Sequence, residues 1–214
     1  HDAHAVQHFT SLVLHQLQSR GLQIEKVHFS DGCAGQYKCK INFVDASFSV
    51  VEHGVPMEKH YFGSRHGRGP CDAEMGVVKR ITTQDINRRK AIIVCSAHDL
   101  YDYAKKSLTR PSSDVHSHRR RSFYFIPINA VNRQNEDRLA NIKALPGTRS
   151  LHSIRGQEPY LISFRERSCF CTPCIQQDGQ CENLDFAGPW KEARLNIKRP
   201  VSPTTVPGLP LICL

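Results

Sequence analysis

The sequence predicts an α/β protein with a small metal-binding module at its C-terminal end. Two observations carry this. Segments with helical and with strand-like apolar spacing alternate along the first two thirds of the chain, and four of the nine cysteines fall within thirteen residues, Cys169 to Cys181. At 214 residues and 39% hydrophobic content there is material for one sizeable core and a small appendage.

The elements follow in order. Val6, Phe9, Val13 and Leu17 recur at helical spacing over Ala5–Gln18, and Gly21 stops that helix. Polar and apolar residues alternate over Glu25–Phe29, a strand that runs into Ser30-Asp31-Gly32. Gln36–Val51 reads as a helix, and Lys59–Ser64 as the next strand. Pro70, suited to a first helical turn, opens a helix that runs to about Arg89. A strand at Ala91–Cys95, a helix at Leu100–Lys106 and a strand at Phe123–Ile128 come next, with a polar linker at Pro111–Arg121. Leu151–Ile154 and Tyr160–Phe164 form a hairpin leading into the cysteines. The last nineteen residues contain four prolines and are expected to be unfolded.

The 29 Lys and Arg against 20 Asp and Glu give a net charge of +9. Between Lys59 and Arg121 there are 14 basic and 6 acidic residues, so the excess is concentrated in the middle third. That clustering favours a polyanionic partner such as nucleic acid, the alternative being a solvated basic face. The expected contacts are Lys79, Arg80, Arg88, Arg89 and Lys90, with the run Arg119, Arg120 and Arg121 beside Phe123 and Tyr124. That run also reads as a nuclear-import signal or as a solvated loop. No stretch approaches the ~18 consecutive apolar residues of a membrane-spanning helix, and no signal segment opens the chain, so an intracellular protein without a membrane partner is expected. The chain starts at His1, close to a helix pattern, and further sequence is expected upstream.

Three groups bear on chemistry. Cys169, Cys171, Cys174 and Cys181 can surround one cation, because a Cys-x-x-Cys turn aims two thiolates at it and two more complete a tetrahedron. A structural Zn2+ is the expectation, and buried or disulfide-paired cysteines are the alternative. Asp31 stands at the end of a strand, where Asp-Gly is equally an ordinary turn. Asp72 and Glu74 fall near the start of a helix; they could share a divalent metal with Asp31, or simply complement the helix dipole. No serine-nucleophile or P-loop pattern occurs.

Three blocks resemble a transposase-derived family of ribonuclease H-like proteins widespread in animal genomes. They are Val27-His28-Phe29-Ser30-Asp31-Gly32-Cys33-Ala34-Gly35-Gln36-Tyr37-Lys38; His66-Gly67-Arg68-Gly69-Pro70-Cys71-Asp72 with Val78-Lys79-Arg80; and Arg165-Glu166-Arg167-Ser168-Cys169-Phe170-Cys171. They stand in the family's order over about residues 5 to 195. The resemblance implies a ribonuclease H-like mixed sheet with flanking helices, and acidic residues that bind Mg2+ or Mn2+ for DNA strand cleavage and transfer. Asp31 would be the strand-end ligand, and Asp72, with Glu74 as its substitute, the helix-borne one. Such folds open with strands bearing another catalytic carboxylate, which nothing before Ala5 supplies, and Ala73-Glu74-Met75-Gly76 is poorer in glycine than the family's block. The expectation is therefore a nuclease-type, DNA-binding scaffold that does not cleave DNA as given. The alternative is a non-catalytic zinc-containing module for nucleic acid or protein interaction. Residues 1–110 would be an N-terminally truncated ribonuclease H-like core, 111–150 a linker with a strand-helix extension, 151–195 the zinc module and 196–214 a disordered tail. The expected location is the nucleus, with the cytoplasm as alternative; DNA is the expected partner, with a homo-oligomer admitted.

Overall fold

A computed structural model describes residues 2–24, 32–62, 70–88, 93–109, 121–133 and 136–196. Its contacts divide the chain into two units: His1–Tyr61 with Gln134–Leu214, and Phe62–Arg133. Both helices and strands are present, as an α/β reading requires.

The first unit begins with α1 (Ala3–Ser19), capped by the Asp2 side chain, which accepts from the Ala5 N–H at 2.9 Å. Its buried side is Ala3, Val6, Thr10 and Leu14, while Phe9 and Val13 are exposed. The buried side is thus rotated from the stripe read in the sequence, of which it keeps Val6. α2 (Lys40–His53) starts four residues later than expected, because the Cys33 carbonyl gathers the N–H groups of Gln36, Tyr37 and Lys38 into a turn. It ends at Gly54, whose positive φ of 67° closes the last turn.

Four strands, β1 (Glu58–His60), β2 (Ser153–Glu158), β3 (Leu161–Arg165) and β4 (Lys191–Arg194), form an antiparallel sheet in the order β1-β2-β3-β4. His60 pairs with Ser153, which pairs with Arg165, and Phe164 pairs with Lys191. The β2–β3 hairpin was legible in the sequence. Among the described residues the sheet is antiparallel throughout, whereas the resemblance implies a mixed one; the expected strand at 25–29 lies outside the described residues.

The sheet's two faces differ chemically because side chains alternate along each strand. One face sets Ile154 and Ile162 against Phe43 and Val44 of α2, with Tyr61, Ile142 and Leu195 completing the core. The approach is close: a Cβ on Gly156 would come within 1.8 Å of the Ala46 carbonyl oxygen, so only glycine fits there. The other face presents Glu58, His60, Ser153, Ser163 and Arg165, polar residues that are nevertheless all buried. What covers them is the cysteine segment. The hairpin expected to belong to a separate module at 151–195 therefore shares a sheet with β1, and its contacts place it in one unit with α1 and α2.

In the second unit, α3 (Pro70–Asn87) and α4 (Ala97–Ser107) match the expected helices. Tyr103, Ala104 and Leu108 form its buried cluster, with Val78, Ile81 and Phe123 packed against them. Ser96 and Asp99 make a reciprocal capping box at the start of α4. Cys95 and Ser96 give their N–H groups to Asp99 there, and residues 93–95 form no strand; 91 and 92 lie outside the described residues. The strand expected at Phe123–Ile128 is also not formed. That segment lacks a pairing strand among the described residues, Pro127 offers no donor, and Ile128–Ala130 closes into a 3-10 turn. Back in the first unit, α5 (Glu136–Leu139) precedes the hairpin, and α6 (Thr172–Gln176) and α7 (Leu184–Ala187) lie in the cysteine segment. Among the described residues no helix is long and apolar enough to cross a membrane. The expected tail lies outside the described residues apart from Asn196.

Candidate metal centre

The chain leaves β3 at Arg165 and turns through Cys169 into α6, whose N-cap is Cys171 and whose buried face carries Cys174. Cys181 follows before α7. The four sulfurs all lie within 4.8 Å of one another, with Cys171 and Cys181 at 4.0 Å. Four sulfurs about 2.3 Å from a tetrahedral zinc stand about 3.8 Å apart, so this spacing fits a single cation with little adjustment. Among the described residues no other group of His, Cys, Asp or Glu is arranged to hold a metal.

The surroundings fit a thiolate centre independently of the spacing. The Arg165 guanidinium is 1% exposed and meets no carboxylate among the described residues. Its acceptors are the Cys174 sulfur at 3.6 Å, the Cys181 sulfur at 4.0 Å and the Cys169 carbonyl at 3.3 Å. A buried cation without a counter-charge is strongly destabilising. Four thiolates around a divalent ion carry a net charge of about −2, which is the counter-charge Arg165 lacks. Trp190 completes the arrangement, its ring facing the Arg165 guanidinium at 4.4 Å and that of Arg155 at 4.2 Å.

A second layer ties the centre to β1. Glu58 accepts from Arg155 at 2.8 Å and from Gln177 at 3.2 Å, and its other oxygen lies 2.8 Å from His60 Nε2. His60 Nδ1 in turn meets Ser153 Oγ at 2.9 Å, and its ring packs on Phe170. Burial works against the Glu58 carboxylate, but hydrogen bonds from His60 and Arg155 outweigh it and hold the group down at about 2. In the cluster itself, the Cys171 backbone N–H beside Cys169 holds that thiol down to about 6, while burial pushes Cys174 up to about 12. The two thiols thus differ by local environment: a backbone N–H stabilises the Cys169 thiolate, and burial opposes one at Cys174. The spacing of the cysteines was legible in the sequence; Arg165, Trp190 and Glu58 were not, because their roles depend on strand alternation and on distant pairing.

The other expected site residues are placed differently. Asp31 lies outside the described residues. Asp72 stands in the exposed first turn of α3, and Glu74, two residues on, takes the Arg121 guanidinium at 2.8 Å. Lys79 and Arg80 on α3 and Arg88 just beyond it are exposed; Arg89, Lys90, Arg119 and Arg120 lie outside the described residues.

A family model matches residues 1–168, more than three quarters of the chain. The chain belongs to the DUF8701 family, a domain of unknown function. No curated protein and no solved structure matches it. The residues matched to DUF8701 include β1 to β3 and Arg165, and the four cysteines follow them directly.

Proposed function

We propose that this DUF8701 chain is a non-catalytic nucleic-acid-binding module whose first unit is held together by a structural Zn2+ on Cys169, Cys171, Cys174 and Cys181. The observation that carries the zinc assignment is the buried Arg165 guanidinium, whose side-chain acceptors are cysteine sulfurs. A closed four-thiolate shell leaves no position for a reacting water, so the ion organises the fold and does no chemistry. The nucleic-acid assignment is supported by charge: the second unit has 14 Lys and Arg against 6 Asp and Glu, with Lys79, Arg80 and Arg88 exposed.

The ordered blocks that resemble transposase-derived proteins support an origin in a ribonuclease H-like strand transferase, with the nucleus as the place of work. In such an ancestor Asp31 and Asp72, or Glu74 in its place, would bind Mg2+ or Mn2+. In this chain Glu74 is engaged by Arg121, which fits a scaffold that does not carry out the reaction.

The test is binding of the full chain to duplex DNA across a salt series, with and without magnesium. Binding that weakens steeply with salt and ignores magnesium is expected, and replacing Lys79, Arg80 and Arg88 by Ala should lower the salt slope by about 1 for each residue in contact. Magnesium-dependent nicking abolished by Asp31→Asn would instead establish the catalytic reading.

A further inference from the structure

α4 carries aromatic rings on two sides, one in the buried cluster and one partly exposed. Tyr103 faces the apolar cluster with Ala104 and Leu108. His98, Tyr101 and Lys105 recur at spacings of three and four residues, and so share another side of the helix. Phe125 lies across that side, its ring 4.9 Å from His98 and 6.0 Å from Tyr101, centroid to centroid. Lys105 Nζ stands 5.5 Å over the Tyr101 ring. This group is partly open to water: Phe125 is 40% exposed, His98 and Lys105 are exposed, and Tyr101 is half-buried.

Partly exposed rings grouped around a lysine, in a unit of net charge +8, are a combination that folding alone does not require. We propose that His98, Tyr101 and Phe125 form a stacking platform for the bases of an unpaired nucleic-acid strand, with Lys105 beside them for its phosphates. The proposal rests on the nucleic-acid reading above and narrows it to single strands. In a duplex the base faces are stacked on one another and out of reach, whereas an unpaired strand offers a π-face at every nucleotide. Phosphates would pass on the Lys105 side, since Asp102, 3.1 Å from His98, sets a carboxylate at the other. Unpaired DNA and unpaired RNA share this chemistry.

The experiment measures binding of the full chain, by fluorescence anisotropy, to an oligothymidylate and an oligouridylate of about 20 nucleotides and to a duplex of equal length. Tighter binding of one or both single strands than of the duplex is expected; which of the two is tighter separates DNA from RNA. Tyr101→Leu and Phe125→Leu, which keep apolar bulk, should each weaken single-strand binding about tenfold, the loss of one base stack, with the salt slope unchanged. Photocrosslinking of unmutated protein to 5-iodouracil-substituted strands avoids any dependence on variant folding, and should place adducts within residues 97–107 and 121–125. Duplex bound as tightly as single strand, leucine variants that bind as the wild type does, or adducts only elsewhere would overturn the platform while leaving salt-dependent binding intact. Absence of binding to all three nucleic acids would overturn both the platform and the broader reading.

Discussion

The two units use charge in opposite ways. The first has 15 basic and 14 acidic residues and turns several of them inward: Glu58, Lys59, His60 and Arg165 are all buried. The second has 14 basic and 6 acidic residues, and among its described residues the one buried polar side chain is Thr82. Buried charge must be matched by fixed partners, whereas exposed charge of one sign is available to a polyanion. The candidate metal centre and the proposed nucleic-acid surface thus fall in different parts of the chain, and each can be perturbed alone.

The largest expected effect is in the first unit. Gly156→Ala sets a methyl group against the Ala46 carbonyl and should lower stability by about 3 kcal/mol in urea unfolding, with DNA binding by the surviving folded protein unchanged. A wild-type midpoint would show that α2 does not rest on β2 as described. Arg165→Met removes the counter-charge beneath the sulfurs and should weaken zinc about 10- to 100-fold in competition with a chromogenic chelator. Unchanged affinity would separate Arg165 from the centre.

Glu58→Gln sharpens the comparison through pH. The Glu58 carboxyl is held at about 2 against an ordinary 4.5, so its contribution is complete above pH 4.5 and is lost as pH falls toward 2. The stability gap between wild type and Glu58→Gln should accordingly be widest at neutral pH and close through that window. Zinc release in acid is common to both chains and does not alter the sign of the difference. A gap constant down to pH 2 would contradict the bonding drawn around Glu58. The smallest effect belongs to the second unit: Ser96→Ala removes the α4 cap and should cost about 1 kcal/mol, without altering zinc content.

The sequence revealed helices α1, α2 with a later start, α3 and α4, the β2–β3 hairpin and the cysteine cluster, because each has a local signature in spacing or capping. β1 was displaced in the reading, since the strand that forms is Glu58-Lys59-His60, three charged or ionisable residues that no apolar alternation marks. They are stable there because Lys59 reaches Asp45 and the Asn42 carbonyl on the α2 side, while Glu58 and His60 turn to the cysteine side. β4 escaped for the same reason: Lys191-Glu192-Ala193-Arg194 is polar and exists by pairing with β3. At Phe123–Ile128 the error ran the other way, apolar residues suggesting a strand for which no pairing partner is described. Local pattern reports what a segment could do; long-range pairing decides what it does.

X-ray absorption at the zinc edge of the purified full chain tests the centre most directly. One zinc per chain bound by four sulfurs at about 2.3 Å is the predicted result. A metal held by nitrogen or oxygen ligands, or a metal-free protein with Cys171 and Cys181 joined as a disulfide, would contradict it.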